Sequence, residues 1–267
     1  MNKETILAAC RRLSEEGERD PERVPLLEFF DELGSTNDRV RELGRTGAPD
    51  GSWVLAEKQT AGRGRRGRSW ESPAGANIAM SILLRPRIAA ENASQLTLIA
   101  ALAVQRSVKR LTGLQPRIKW PNDLLLEEKK ICGILTELFF TGDGYYLAVG
   151  IGLNVHRADK PPEVAAVSAA LEEFGVSVSR STLAAAVYGE LMRLLRAREG
   201  SDSLAFLQEE YAACMAWRGE RTVLTDAAGI AAEGVLRGIS AEGHLLLDTA
   251  GGPLEVHTGE LSLRRRL

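Results

Sequence analysis

A segment rich in glycine and arginine carries the densest chemistry in this sequence. Within the seven residues from Gly62 to Arg68 there are four arginines and three glycines. Glycine admits positive φ and keeps a backbone free to rearrange, whereas closely spaced guanidinium groups repel one another unless an anion lies between them. Arginine pairs bidentately with phosphate and carboxylate. We therefore predict that residues 62–68, which we name the arginine loop, form a mobile loop that orders over a phosphorylated or acyl-phosphate ligand.

Two other interpretations of this loop are weaker. The run Gly62-Arg-Gly-Arg-Arg-Gly67 fits the dinucleotide pattern G-x-G-x-x-G, but that fingerprint requires a strand running directly into the glycines and a helix running out. Here residues 57–61 intervene and Ser69-Trp-Glu-Ser-Pro-Ala-Gly75 follows. A solvated basic loop without function is also disfavoured, because connecting loops are usually short and mixed in charge.

Lys119-Trp-Pro-Asn-Asp123 and the later Lys130 form a second chemical group. Proline fixes the backbone after the strand at 117–120, and the side chains that follow accept hydrogen bonds or hold a hard cation. A hairpin with this spacing brings Lys130 back beside Asp123, which places a cation and a carboxylate at one pocket. The alternatives are an Asx turn at Asn122 and a solvated edge lysine.

A third segment, Gly150-Ile-Gly-Leu-Asn-Val155, ends a predicted strand. Its glycines would let the ring of a ligand lie against the backbone, with Asn154 contacting a polar edge of that ring. A glycine-bearing β-bulge is the alternative.

Composition narrows the class of protein. The 267 residues are 44% apolar and carry a net charge of −2 with a pI near 6.1, so general nucleic-acid binding is disfavoured. The three cysteines are far apart in the sequence, which argues for reduced thiols. The three histidines lack the spacing of metal ligands, which argues against a zinc site. No secretory signal or long apolar run is present. We expect a cytoplasmic protein without membrane association.

Apolar periodicity and turn residues predict the elements that position these groups. Helices are expected at 4–17, after Ser35, at 96–111 with Gly113 as its cap, at 181–198 and at 203–217. Strands are expected at 24–33, 53–56, 77–84, 117–120, 124–126, 130–138 and 145–149. After residue 217, short runs separated by glycine at 222–224, 232–239, 244–247, 254–257 and 261–263 predict a small β-barrel.

Together these segments resemble the catalytic domain of a biotin protein ligase (biotin–[acetyl-CoA-carboxylase] ligase). The resemblance extends from about Leu26 to Arg264. Its motifs are Gly34-Ser-Thr-Asn37, Gln59 with Ala61-Gly-Arg-Gly-Arg-Arg-Gly-Arg68 and Trp70, Lys119-Trp-Pro-Asn-Asp123, Lys130-Ile-Cys-Gly-Ile134, Gly150-Ile-Gly-Leu-Asn154 and Gly259-Glu-Leu-Ser-Leu-Arg264. The related lipoate ligases share the fold but lack the arginine loop.

The resemblance implies an α/β (α+β) fold of the class II synthetase-like type. Its catalytic domain, at 24–217, would have a mixed, largely antiparallel sheet, followed by an SH3-like β-barrel at 218–267. Residues 1–23 would form an N-terminal helix and a connection. Many bacterial relatives begin with a winged-helix DNA-binding domain, for which these residues are too few, so we expect a ligase without repressor activity.

The resemblance also implies roles for individual residues. The catalytic set would be Lys130, Arg65, Lys119 and Asp123, with Asp123 meeting the acceptor lysine or positioning Mg²⁺. Biotin would be bound by Ser35, Thr36, Asn37, Gln59, Arg63, Gly64, Arg65, Lys130 and Gly133. ATP and the adenylate would be bound by Arg65, Arg66, Arg68, Trp70, Asn122, Lys130, Asn154, Val155 and Arg264.

The implied reaction joins biotin to a lysine of a biotin carboxyl carrier protein through biotinyl-5′-AMP, with ATP and Mg²⁺ as cofactors and no resident metal. A homodimer is left open, and DNA and membranes are not expected partners. Two alternatives remain at this point: a lipoate or other acyl-acid ligase, and a non-catalytic protein that binds nucleic-acid phosphates through the arginine loop.

Overall fold

The structure is a computed structural model. It describes residues 1–13, 25–142, 144–198, 201–226, 229–257 and 261–266. The helices are α1 (Lys3–Leu13), α2 (Thr36–Arg45), α3 (Gln95–Thr112), α4 (Pro162–Ala165), α5 (Arg180–Ala197) and α6 (Gln208–Cys214). The strands are β1 (Leu27–Leu33), β2 (Trp53–Gln59), β3 (Asn77–Leu84), β4 (Arg117–Lys119), β5 (Asp123–Leu126), β6 (Lys129–Thr141), β7 (Gly144–Asn154), β8 (Arg221–Thr225), β9 (Ile230–Ile239), β10 (Leu245–Thr249), β11 (Gly252–Val256) and β12 (Ser262–Arg265).

The first seven strands form one mixed sheet in the order β1-β2-β3-β7-β6-β5-β4. Strands β1 and β2 are parallel, and the other neighbours are antiparallel. All eight residues of β3 are buried because helices cover both faces of the sheet at its centre. The mixed, largely antiparallel sheet expected from the sequence is confirmed.

Helices α1, α3 and α5 cover one face of this sheet, and α2 covers the other. Helix α3 carries the predicted apolar stripe and ends where Gly113 adopts a left-handed φ of 76° and donates its N–H to the Lys109 carbonyl. This is the glycine cap that the sequence predicts. Among the described residues, none of the helices combines the length and apolar character that a membrane span requires.

The last five strands form a separate antiparallel sheet in the order β11-β10-β9-β8-β12. The short glycine-separated strands predicted after residue 217 are therefore present. The outermost strands of this sheet, β11 and β12, are not hydrogen-bonded to each other within the described residues. The sheet is therefore open in the part of the chain described, and does not close into a barrel.

One predicted helix differs in length from that in the structure, and the end of another lies outside the described residues. The helix predicted at 203–217 spans only Gln208–Cys214. Its expected ends are taken up by tertiary pairing: the Leu204 N–H bonds the Ala241 carbonyl, and the Ala216 N–H bonds the Ile118 carbonyl of β4. Helix α1 is described to Leu13, and the predicted extension and connection at 14–24 lie outside the described residues, as do Gly259 and Glu260 of the terminal motif.

Candidate active site

A patch of bare backbone lies at the centre of the large sheet. Gly133 on β6 pairs directly with Gly152 on β7, and Gly150 pairs with Ser81 on β3. Strand side chains alternate between faces, so glycines opposite one another leave a flat surface without side chains. A flat ring can lie directly against this patch.

The indole of Trp70 lies on this patch, where the sequence predicts that the ring of a ligand can lie. A Cβ built on Gly152 would lie 2.3 Å from Trp70 Cε2, and one built on Gly133 would lie 3.1 Å from Trp70 Cζ3. The indole Nε1 is buried and has no hydrogen-bond partner in the part of the chain that the structure describes. The arginine loop therefore ends in an aromatic side chain that covers the patch.

A small polar pocket adjoins Trp70. It is lined by all nine residues assigned to biotin in the sequence analysis, and its free volume is about 50 Å³. Pockets that enclose organic ligands are typically about 300–1,000 Å³, so a ligand of that size requires Trp70 and its loop to move. The structure thus brings the predicted residues together in a closed arrangement.

Hydrogen bonds lock the polar wall of this pocket at the start of α2. Thr36 donates its backbone N–H and its hydroxyl to Gln59 Oε1, over 2.9 and 3.0 Å. The Asn37 amide donates to Glu137 Oε2 over 2.7 Å. Ser81 Oγ lies 2.7 Å from Thr36 Oγ1 and 2.6 Å from Asn37 Oδ1. These hydrogen bonds fix the positions of the side chains that form the polar wall of the pocket.

The arginine loop is held by protein side chains, which the sequence analysis did not anticipate. Arg63 forms a bidentate pair with Asp38, at 2.6 and 2.8 Å, and a longer contact of 3.2 Å with Glu137. Arg65 donates to Asn122 Oδ1 over 2.9 Å. The carboxylates of α2 and β6 thus pair with Arg63, for which the arginine spacing predicts a bound anion as the partner. We name the Arg63–Asp38 pair the loop latch.

We expect Asp38→Asn to loosen the loop. Exposed ion pairs stabilise a structure by up to about 1 kcal/mol, so loss of this pair should make the open form of the loop more frequent. Tryptic cleavage within residues 62–68 should then accelerate by roughly 2–5-fold. The hydrogen bond with Arg63 holds the pKa of Asp38 below its usual range. The latch is therefore at full strength above the pKa of Asp38 in an unfolded chain, about 3.9, and weakens as the pH falls through the lower folded-state value.

The control for this experiment is Asp31→Asn, which removes an exposed carboxylate of β1 whose side chain forms no hydrogen bond or ion pair with the described residues. Its cleavage rate should match that of the wild type. Equal rates for Asp38→Asn and Asp31→Asn would show that the latch does not restrain the loop.

A cation and a carboxylate meet at the β4–β5–β6 corner, as the hairpin spacing predicts. Lys130 Nζ lies 2.6 Å from Asp123 Oδ1, and the Asn122 amide donates to the same oxygen over 3.2 Å. Lys119 lies directly opposite Asp123 in the register of β4 and β5. Burial lowers the pKa of the Lys119 ammonium, an effect that the nearby charge of Asp123 opposes. Lys130 Nζ also lies 5.5 Å from the centre of the Trp70 ring.

A larger cleft of about 830 Å³ opens on the other side of Lys130, between the two sheets. Its lining has six cationic side chains and three carboxylates, so it suits a polyanion. The cations are Arg68, Lys119, Lys130, Lys160, Arg264 and Arg265, and the carboxylates are Glu71, Asp123 and Glu128. Lys130 and Trp70 line both this cleft and the small pocket.

Three residues assigned to the nucleotide lie differently from expectation. Asn154 lines the cleft, but its amide is buried and donates to the Ala169 carbonyl over 3.1 Å, so it serves the fold. Val155 is 1% exposed and belongs to the core. Arg66 is exposed, with a left-handed φ of 61°, and lines neither cavity.

The sequence analysis missed three polar residues of the site. Ser81 is the only hydroxyl in the apolar run of β3, and that isolation was a usable signal. Glu137 and Lys160 carried no such signal. Glu137 joins Asn37 and Arg63, and the Lys160 ammonium reaches Ser168 Oγ, 3.3 Å away, on the segment that pairs with the Lys130 backbone.

Comparison with known proteins points to one family. Residues 29–154 match the model of the biotin/lipoate A/B protein ligase family. The chain is 35% identical over 247 residues to the bifunctional ligase/repressor BirA of Bacillus subtilis (strain 168), covering 89% of this chain and 74% of the relative. It is 34% identical over 242 residues to the biotin–[acetyl-CoA-carboxylase] ligase of Mycobacterium tuberculosis, covering 88% of each. The structure of biotin protein ligase from Aquifex aeolicus in complex with biotin and ATP matches with a TM-score of 0.80 and 32% identity, over 90% of this chain and 99% of that chain.

Proposed function

Because this chain belongs to the biotin/lipoate A/B protein ligase family, we propose that it activates biotin with ATP and transfers it to a lysine of a biotin carboxyl carrier protein. One observation carries the proposal: Lys130 borders both the small polar pocket and the polyanion cleft. Activation of a carboxylic acid by ATP requires the carboxylate and the α-phosphate to meet, and a cation between two cavities is placed for that meeting.

The first step makes biotinyl-5′-AMP. A carboxylate oxygen of biotin attacks the α-phosphorus, the bond to the β-phosphate breaks, and pyrophosphate leaves with the electron pair. Both reactants are anions, so the main task of the protein is electrostatic. Lys130 lies at the junction, Lys119 lies beside it, and Arg65 is fixed by Asn122 at the pocket wall. These three groups would offset the negative charge that accumulates on the α-phosphate.

The second step transfers the acyl group. The amine of the carrier lysine attacks the acyl carbon, AMP leaves, and the amine loses a proton. Asp123 is the carboxylate beside Lys130, and we assign it to receive or orient that amine. Val167, on the segment that pairs with the Lys130 backbone, is 63% exposed and offers the carrier an apolar contact at the entrance.

The donor set in the cleft also fits a magnesium–nucleotide complex. Mg²⁺ keeps several waters and takes one or two carboxylates together with phosphate oxygens. Asp123 would be the carboxylate nearest the reacting phosphate, while Glu128 is engaged by the Trp217 indole N–H. Bound with ATP, the metal would neutralise phosphate charge. Among the described residues there is no cluster of three or more His, Cys, Asp or Glu side chains that could hold a metal ion.

We expect biotin-dependent exchange between ATP and labelled pyrophosphate. The locked hydrogen-bond donors and acceptors of Thr36 and Asn37 suit the ureido ring of biotin, which lipoate and octanoate lack. Sites built for a polar group reject analogues without it, so exchange with biotin should exceed exchange with either acid by at least about 100-fold.

Two outcomes of this assay would contradict that expectation. Exchange with lipoate alone keeps the chemistry but overturns the substrate. Absence of exchange with all three acids, in folded protein, overturns the ligase proposal. Transfer is then tested with a purified carrier domain and with the same domain lacking its acceptor lysine, and only the first should gain streptavidin-reactive biotin.

A further inference from the structure

A third cavity, of about 690 Å³, lies where the end of β3, the start of α3 and the end of α5 meet. It shares no lining residue with the two cavities that border Lys130. Four arginines line it, at positions 85, 87, 196 and 198, against one carboxylate, that of Asp50. We name it the arginine pocket.

Arg198 is the unusual member of this group. It is 4% exposed, yet no described carboxylate forms an ion pair with it. One guanidinium nitrogen, Nη2, donates to Gln95 Oε1, and Nε is buried with no hydrogen-bond partner among the described residues. Burial of a charged group without a counter-ion is costly, and the same burial lowers the pKa of Arg198. The exposed Asp202 carboxylate offsets the positive charge of Arg198 only in part, because it acts at longer range.

The mouth of the pocket adds two more unpaired charges. The side chains of Arg87 and Arg196 are exposed, and their guanidinium groups form no hydrogen bond or ion pair with the described residues. Arg85 differs, because its guanidinium donates to the Gly44 carbonyl over 2.8 Å and lies over the Tyr146 ring. The Asp50 carboxylate accepts the Arg85 backbone N–H over 2.7 Å. Among the described side chains, four arginines against Asp50 and Asp202 leave a net positive charge around the opening.

The remaining walls of the pocket are apolar. Leu84 and Leu96 are buried core residues, and Met192 and Leu195 are partly buried on α5. A mouth of unpaired arginines above apolar walls suits a ligand with an anionic head and an apolar body, and the volume lies within the range of organic-ligand sites, about 300–1,000 Å³. Arginine pairs bidentately with both carboxylate and phosphate heads.

We propose that the arginine pocket binds an amphipathic organic anion, a carboxylate or phosphate monoester with an aliphatic body, separately from the biotin and ATP sites. The head pairs with Arg87, Arg196 and Arg198, and the body lies along the apolar walls. This proposal does not depend on the ligase activity, because binding is measured without turnover.

The test uses isothermal titration of the full chain, saturated with biotin, with octyl phosphate, octanoate, inorganic phosphate and octyltrimethylammonium. We expect octyl phosphate or octanoate to bind, inorganic phosphate to bind more weakly, and the cationic probe not to bind. The preferred head then identifies the class of ligand. Loss of a charge-assisted hydrogen bond should weaken binding about tenfold in Arg198→Gln and in the double variant Arg87→Gln/Arg196→Gln.

The double variant changes only exposed side chains, so it keeps the test decisive if Arg198→Gln fails to fold. Arg45→Gln, which removes an exposed arginine from the last turn of α2, is the matched control and should bind as the wild type does. Absence of binding, equal affinity in the double variant and Arg45→Gln, or tight binding of the cationic probe would each overturn the proposal.

Discussion

Lys130→Ala should lower the rate of biotin-dependent ATP–pyrophosphate exchange by roughly 10²–10³-fold, the usual cost of removing one preorganised group that stabilises transition-state charge. Lys130 Nζ lies 2.6 Å from Asp123 Oδ1 and borders both cavities of the site. With alanine there, the carboxylate and the α-phosphate meet without their shared cation, while Asp123 adds an unpaired negative charge. Initial rates at saturating biotin and ATP measure the effect on turnover rather than on binding.

The neighbouring lysine provides a matched control. Lys129 begins the same strand, is exposed, and lines neither cavity, so Lys129→Ala removes the same charge from the same element. We expect exchange within about twofold of the wild type, as for a surface substitution. Thermal unfolding of both variants should show that they are folded. Similar rates for Lys130→Ala and Lys129→Ala would remove Lys130 from the chemistry.

The meeting of Lys130 and Asp123 was predictable because it depends on a local hairpin. The two residues lie seven positions apart, and the charged turn at Glu127 and Glu128 lies between them. The Gly113 cap of α3 was predictable for the same reason, since apolar periodicity and a single glycine define it. In each case a few neighbouring residues determine the geometry.

Contacts between distant parts of the chain could not be predicted in this way. Glu137 is 100 positions from Asn37 and 74 from Arg63, and it joins them only because β6 passes beside the start of α2. The position of the Trp70 indole depends on Gly133 and Gly152 lying directly opposite each other in the register of β6 and β7. A sequence shows that a glycine is present, but the register of two strands decides what lies on it.

The same register makes Gly150→Ala the second substitution with a large expected effect. A Cβ at this position would lie 2.3 Å from Asn37 Oδ1. Asn37 has little freedom to withdraw, because Glu137 and Ser81 hold its side chain from two directions. The methyl group should therefore displace the Asn37 amide from the pocket wall. Loss of one or two buried hydrogen bonds to a ligand corresponds to biotin binding about 10–100-fold weaker, measured as Kd by isothermal titration.

A double variant separates the steric effect from the loss of binding. Asn37→Ala removes the oxygen that the added methyl group would strike, so Gly150→Ala/Asn37→Ala should recover much of the thermal stability that Gly150→Ala loses, yet bind biotin no better. Gly142→Ala is the control on the same hairpin, because a Cβ there meets no atom within 4 Å. If the double variant instead regains wild-type affinity, Asn37 makes no contact with biotin and the glycine serves only to admit its side chain. If Gly150→Ala binds biotin as tightly as Gly142→Ala does, the added methyl group displaces no side chain that binds biotin, and the prediction is wrong.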